Sequence, residues 1–477
     1  MNILTKVMVV ASALFFALAL VAQETAPGQG RGTSEVQQSA PRSRQAGHIS
    51  TPASSIERSE DVGVRFHTNY VLHSFDGMKP TVVKTPSPLT VHSAMNPDIT
   101  TKEEAETPDS MGCLYVHSPK NTGCIPSYTG GPSSAGWGAI ALVDAYDNPD
   151  AASDLATFDA RWGLAAANFT KVYANGNGSC TTPPADAGWA GEESLDIEWA
   201  HVFAPKAAII LVEACSNSLA DLLYAEQVAF NYVASYGGGQ ISNSWGGGEF
   251  SGENSYDELF SGWYYNYAVP VVFFASAGDS GCGAAYPSVV PWLVSAGGTS
   301  VLRNSSTGKF YSESCWGGSG GGVSTYETYS NTSFTNSNTG PWADYQYPIF
   351  GQASRATPDM SFNADPASGV WVDSQYGFGC SSQPCWAPVG GTSVSSPSLA
   401  SLVNRAGNKL GSWTNFPVVG TGWYNNQENV LIYSQLGGGV AYKGNFYDIK
   451  TGSNGCSVKP SWDYCTGVGS PRGLLGK

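Results

Sequence analysis

The sequence predicts an α/β fold: a mostly parallel central sheet with helices on both faces. Two observations carry this expectation. Short apolar runs rich in Val, Ile and Ala recur at 138–146 (GAIALVDAY), 207–214 (AAIILVEA), 240–245 (QISNSW), 269–278 (VPVVFFASAG) and 292–299 (WLVSAGGT). None alternates strictly, which is the pattern of strands buried on both faces. Between the second and third runs, Leu219, Leu222, Leu223, Val228, Tyr232 and Val233 suit one helix closed by glycines. Strands alternating with helices imply parallel connections. In open sheets of this kind the chemistry lies beyond the carboxyl ends of the strands. Asp279 directly follows the fourth run, and WVDS (371–374) lies on the approach to Ser393.

The order of segments is as follows. Residues 1–22 read as an export signal: a short n-region with Lys6, then an apolar stretch to Ala22. That stretch is shorter than the roughly 20 residues a bilayer span needs. Residues 23–112 are expected to be a flexible arm or a reduced pro-region, Gln/Ser/Pro/Gly-rich at first, with hints of strand in VGVRFHTNYVLH. Residues 113–477 read as one large domain. Ten cysteines, an even number, fit an oxidising compartment. The expected pairs are Cys113–Cys124, Cys380–Cys385 and Cys456–Cys465 by proximity, then Cys180–Cys215 and Cys282–Cys315 from those left. The spacings do not suit zinc. The protein is expected to be secreted and extracellular, with the periplasm as the alternative, monomeric, and free of the membrane once the signal is removed. A net charge of −15 with only 13% charged residues carries no nucleic-acid footprint. Few ionisable groups also mean that acidification changes self-repulsion little.

The stretch VGGTSVSSPSLA (389–400) presents Ser393 after a tight Gly-Gly turn, at the start of a helix. A serine nucleophile needs a base, ordinarily histidine held by a carboxylate. Of six histidines, His48, His67, His73 and His92 precede the domain and His117 precedes its first strand. His201 lies deep in the domain but lacks the flanking glycines of a subtilisin-type base, and reads as a packing residue. Carboxylates can serve instead. In GEESLDIEWAHVF, Glu192 and Asp196 are four residues apart. If Glu192 opens a helix, the two share a face, while Glu193 and Glu198 point elsewhere. The plain alternative is a solvated acidic helix end favoured by the dipole. Flanking Leu195, Ile197, Trp199, Val202 and Phe203 argue for burial and a shared proton. Asp279, in ASAGDSG, is a third acid. GDSG also resembles the nucleophile segment of chymotrypsin-like proteases, which would point to Ser280, but the sequence offers neither their histidine context nor an all-β pattern.

Together GEESLDIEWAHVFAPKA, ISNSWGGGEF, ASAGDSG, SAGGTS, RATPDMSFNADPASG and VGGTSVSSP resemble, in order and rough spacing, the motifs of the sedolisins, the serine-carboxyl peptidases. The resemblance covers about 135 to 471. It implies a subtilisin-like fold and a serine-type endopeptidase acting on protein or peptide substrates in acid. Ser393 would be the nucleophile, Glu192 the general base and Asp196 its orienting partner. Asp279, protonated, would donate to the oxyanion beside the Ser393 backbone N–H. Ser244, Trp245 and Gly246 would bind the substrate backbone. Asp144 would extend the carboxylate network, and Asp359 would be structural.

FYDIKTG and PSWDYCTGVGSP resemble the family's calcium site. One structural calcium ion is implied, on the carboxylates of Asp448 and Asp463 and on backbone carbonyls including those of Ile449, Lys459 and Ser461. The family usually has glycines where this chain has Lys459, Pro460 and Ser461. It also carries a folded propeptide larger than residues 23–112 could form. A catalytically silent relative that binds without turnover is one alternative. A glycosidase is another, although two acids on one helix are a poor way to flank a glycosidic bond.

Overall fold

The apolar runs assemble into one eight-stranded sheet. The computed structural model describes residues 48–74, 105–117, 124, 135–261, 269–304, 309–328, 346, 353–407, 427–436 and 440–477. The expected export signal and the first part of the arm lie outside these. Three short strands come first: β1 (His48–Ser50), β2 (His67–Thr68) and β3 (Val71–Ser74), followed by the helix α1 (Pro108–Gly112). Next come β4 (Ala139–Ala145), α2 (Ala151–Trp162), β5 (Asn168–Ala174), α3 (Ala187–Phe203), β6 (Ala208–Ala214) and α4 (Leu219–Ser235). Then follow β7 (Gly239–Asn243), β8 (Trp245–Gly248), β9 (Val271–Ser276), β10 (Ala285–Tyr286), β11 (Val294–Arg303) and β12 (Phe310–Cys315). The remaining strands are β13 (Val323–Thr328), β14 (Ser354–Ala356), β15 (Met360–Asn363), β16 (Val370–Asp373) and β17 (Trp386–Gly390). The chain closes with α5 (Thr392–Ala406), α6 (Gln427–Ser434), α7 (Val440–Asn445), β18 (Phe446–Tyr447) and β19 (Ser470–Pro471).

The central order is β12-β11-β9-β7-β4-β6-β5, with β15 also on β11. Every pairing in it is parallel except that of β12, the antiparallel edge. The α/β expectation therefore holds: the five apolar runs are β4, β6, β7, β9 and β11, and pattern reading passed over β5, β12 and β15. Alternate residues of each inner strand serve two separate cores. Ile140 and Leu142 face Leu195 and Trp199 of α3 and Val394 and Leu402 of α5. Ala141 and Val143 face Leu222, Ala229 and Val233 of α4. Each fully buried Leu, Ile or Phe contributes about 1.5–3 kcal/mol, which is why these runs carry no polar alternation.

Residues 48–74, expected within the arm, are built into the body. β2 runs antiparallel to β8, which pairs on its other side with β10. β3 lies between β1 and β17, and β17 pairs with β16.

All ten cysteines are paired. Cys113–Cys124, Cys180–Cys215 and Cys380–Cys385 are as expected. The other two correct the sequence reading: Cys282 joins Cys456 and Cys315 joins Cys465, across 174 and 150 residues. Closeness in sequence misled because the segment after β18 folds back over the exits of β9 and β12. There the Cys282 N–H donates to the Asn454 carbonyl at 2.6 Å and the Cys315 N–H to that of Thr451 at 2.8 Å.

The core also holds carboxyl groups. Burial pushes Asp144, Glu213, Glu226 and Glu428 up to about 8 and Glu253 to about 9. A carboxyl with a raised folded pKa binds its proton more tightly in the folded state. Its stability contribution is complete below the unfolded value, about 4, and is lost as pH rises through the folded value. The melting temperature should accordingly be highest near pH 4 and fall by on the order of 10 °C toward pH 8. Calorimetric melts across that range check this, and a maximum near neutrality would contradict it.

Candidate active site

Helix α3 begins at Asp186, whose side chain accepts the Trp189 N–H at 3.0 Å, the usual N-cap bond. Ala187 is its first residue, so Glu192 does not open it. Glu192 and Asp196 lie in the interior of the helix, beyond the favourable end of the dipole. The solvated-end alternative fails on the same ground: both residues are fully buried. Their four-residue spacing places them toward α5, and Ser393 is the second residue of α5. Gly391 precedes it with φ of 107°, and a Cβ there would strike backbone and carboxylate oxygens at 2.1 and 2.6 Å. Only glycine suits that turn. Pro397, inside α5, has no N–H for the Ser393 carbonyl four residues earlier.

The side chains converge from five elements. Ser244, between β7 and β8, donates from Oγ to Asp196 Oδ1 at 2.8 Å. Its carbonyl accepts the Ser393 hydroxyl at 3.2 Å. Ser393 stands beside Glu192, and the charge of Asp196 acts directly on Glu192; both Glu192 oxygens are buried with no hydrogen-bond partner among the described residues. Burial raises Glu192 well above the ordinary range, the charges of Asp196 and Asp144 raise it further, and the Ser393 hydroxyl pulls it back. Asp196 is raised by burial and by Asp144, against the Ser244 hydroxyl and Glu192. Asp144, at the end of β4, is fully buried. Three acids in one dry space cannot all be ionised, so they hold protons between them.

Asp279 follows β9 on the other side of Ser393. Its Oδ1 accepts both the N–H and the hydroxyl of Thr392, each at 2.8 Å. Oδ2 is shielded from solvent and has no hydrogen-bond partner among the described residues. Burial lifts this carboxyl to about 7 despite the two Thr392 bonds. A protonated Oδ2 would be a donor aimed into the cleft next to the Ser393 N–H.

The other sequence candidates separate cleanly. Trp245 and Gly246 lie on β8, whose free side is taken by β2. His201 bonds the Ala165 carbonyl at 2.8 Å and faces Asp159 at 3.5 Å, so it packs rather than reacts. Asp359 is structural: Arg355 grips both its oxygens at 2.7 and 2.5 Å, and the Ser295 N–H donates to it at 2.8 Å. Ser280 is exposed and outside the convergence. Sequence reasoning missed the Ser244 hydroxyl as the support of Asp196 and Thr392 as that of Asp279. Both were visible only as hydroxyls inside recognised motifs.

At the C-terminal loop, the Ser461 N–H donates to Asp448 Oδ1 at 2.8 Å, and Lys450 Nζ lies 3.0 Å from Oδ2. Asp463 Oδ1 accepts the N–H groups of Cys465 and Thr466 at 2.8 and 2.9 Å. Ser461 has φ of 76°, a left-handed conformation that glycine would adopt more readily. No three His, Cys, Asp or Glu side chains form a metal cluster among the described residues. Asp463 Oδ2 also accepts the Thr466 hydroxyl at 3.1 Å and the Ser461 carbonyl the Tyr442 hydroxyl at 3.0 Å, so a hard cation here would have to share these acceptors and displace Lys450.

No family model matches the chain. It is 31% identical to kumamolisin from Bacillus sp. (strain MN-32) over 361 residues, 70% of this chain and 58% of that protein. This chain is a relative of the sedolisins. Among solved structures, the Pseudomonas sedolisin, a serine-carboxyl proteinase complexed with two molecules of pseudo-iodotyrostatin, shares the fold with a TM-score of 0.57. It is 21% identical, over 77% of this chain and 95% of that one. The chain spans little more than half the length of kumamolisin, as the 58% coverage states. For this sedolisin relative, the cleft geometry gives a direct check. Infrared difference titration of the native chain against Asp279→Asn should show one carboxyl ionising near pH 7. A group ionising near pH 4 would remove Asp279 as a neutral donor.

Proposed function

We propose that this chain is a secreted serine-carboxyl endopeptidase that works in acid through an acyl-enzyme on Ser393. The observation that carries the reading is the convergence of a serine, a buried Glu–Asp pair and a neutral-prone Asp around one backbone N–H. Glu192 takes the Ser393 proton as the hydroxyl attacks a peptide carbonyl. Burial makes this carboxylate a stronger base than a free one, and Asp196, held by Ser244, receives part of the charge change. The developing oxyanion lies between the Ser393 N–H and protonated Asp279. Glu192 then returns its proton to the leaving amine, and water repeats the cycle on the ester. An ionised Asp279 would repel the oxyanion, so activity falls as pH rises through about 7. The substrate backbone would pair with Ser244, Trp245 and Gly246. The apolar stretch to Ala22, which reads as an export signal, and the five disulfides support export.

Hydrolysis of an unfolded protein, measured from pH 3 to 8, tests the reading. Ser393→Ala should lose activity by a factor on the order of 10⁶, and Asp279→Ala by about 10²–10³. Asp279→Asn, which donates at every pH, should retain activity and shift the alkaline arm upward. An optimum near neutrality that Asp279→Asn leaves in place would remove the proposed role. Peptide binding without turnover at any pH would instead favour a silent binding protein.

Calcium would be structural, on Asp448, Asp463 and the carbonyls of Ile449, Lys459 and Ser461, displacing the Lys450 ammonium. When bound, it would supply positive charge that neutralises two carboxylates on the loop behind Cys456 and Cys465. At about 100 times its dissociation constant it would add about 2.7 kcal/mol. The melting temperature should therefore rise with calcium, fall with EDTA, and respond to neither in Asp448→Asn.

A further inference from the structure

Residues 67–72 lie along the cleft as a strand held from both sides. β2 runs antiparallel on β8, with His67 opposite Gly246, and the Asn69 N–H donates to the Ser244 carbonyl at 3.2 Å. β3 then runs antiparallel on β17, with Val71 opposite Gly390. Between these pairings the Asn69 carbonyl accepts the Ser393 N–H at 3.0 Å. A backbone fixed on both walls, with one carbonyl on the N–H of the serine, marks the frame in which any peptide would lie. Tyr70 therefore occupies the position directly after the carbonyl that Ser393 faces.

That position has a built recess. Tyr70 is buried, and its hydroxyl donates to the Gly188 carbonyl at 2.8 Å. Gly188 belongs to α3, so one lone pair of its carbonyl serves the helix N–H four residues on and the other is left for the phenol. Gly191, three residues further on the same face, makes the floor. A Cβ there would lie 2.5 Å from the Tyr70 hydroxyl oxygen and 3.1 Å from its Cζ, with Phe378 Cε1 3.5 Å away as the wall. The loop that carries Phe378 is pinned to the same helix. Gly377 rests on the Gly191 backbone, where a Cβ would come within 2.5 Å of the nitrogen. Ser374 accepts the Gly377 N–H at 3.2 Å and the Ser194 hydroxyl of α3 at 2.9 Å. The Cys380–Cys385 disulfide closes the loop behind. Burial pushes the Tyr70 hydroxyl well above the usual tyrosine value, so it remains a donor.

We infer that Gly188, Gly191 and Phe378 form a tyrosine-selective recess, so that this peptidase prefers substrates with tyrosine directly after the cut bond. The inference rests on the serine-carboxyl reading of the same site. Three properties of the recess give the preference. A small side chain leaves the space between Gly191 and Phe378 unfilled and forfeits its contacts. Phenylalanine fills that space but brings no donor for the Gly188 carbonyl. Tyrosine satisfies both, and its only polar atom is bonded. The floor residue also directly precedes Glu192, so a ring seated on Gly191 is fixed to the helix turn that carries the base.

The full chain is incubated at pH 4 with the peptide VRFHTNYVLHS, the sequence of residues 64–74, and with counterparts carrying Phe or Ala in place of Tyr. Mass spectrometry gives kcat/KM at the bond before that residue. Acid-denatured haemoglobin is digested in parallel and its new amino termini are sequenced. The Tyr peptide should exceed the Phe peptide about fivefold and the Ala peptide about 10- to 100-fold, and tyrosine should be enriched among the new amino termini. Gly191→Ala, which fills the floor, and Phe378→Ala, which removes the wall, should each lower the Tyr-to-Ala ratio at least about tenfold. A ratio taken within one preparation does not depend on how much of a variant folds. Haemoglobin cleaved without tyrosine enrichment, or an Ala peptide cut as fast as the Tyr peptide, overturns the inference and leaves the peptidase reading standing. A tyrosine preference that both variants leave unchanged overturns its assignment to this recess. Hydrolysis of none of these substrates overturns both readings.

Discussion

The cleft depends on carboxyl groups held where water cannot solvate their charge. Moving an isolated carboxylate into such a space costs several kcal/mol, so a buried acid either keeps its proton or shares one. Helix α3 enforces that condition by burying Glu192 and Asp196 between the sheet and α5. The two acids then cannot behave as separate surface charges. They act with Asp144 as one reservoir, whose protonation is set by burial first and by mutual repulsion second. Asp279 is subject to the same constraint on the other side of Ser393, where burial raises its carboxyl to about 7.

The sheet makes this arrangement geometrically achievable. The parallel strands β4, β7 and β9 have their carboxyl ends aligned, and at or just beyond those ends lie Asp144, Ser244 and Asp279. Helices α3 and α5 cover the same face and supply the rest. The disulfide from Cys282 to Cys456 ties down the loop just beyond Asp279. Thr392, meanwhile, bonds both Asp279 and the Gly278 backbone, so Asp279 is fixed to the first turn of the helix that carries Ser393.

The N-terminal segment gives the cleft its present occupant. Backbone pairing to β8 and β17 does not depend on side-chain identity, which is why residues 66–72 can lie there without any motif announcing it. The same strand edges that hold this segment are those an external substrate would need. While residues 67–72 are paired there, those edges are closed to any other strand.

Much of the fold and of the candidate site's layout was legible in the sequence. Unalternating Val/Ile/Ala runs determine buried parallel strands because both faces of such a strand must be apolar. The spacing of Glu192 and Asp196 determines a shared helix face, and the Gly-Gly turn before Ser393 determines how that serine is presented. Tertiary structure decided the rest. The order of strands, the partners of Cys282 and Cys315, the support of Asp196 by Ser244 and the seating of Asn69 over Ser393 join residues far apart in the chain. Which distant segments meet depends on how the whole core packs, and local pattern holds no record of it. Burial, too, is a property of the assembled protein, so the raised pKa of Asp279 could be required by the chemistry but supplied only by the fold.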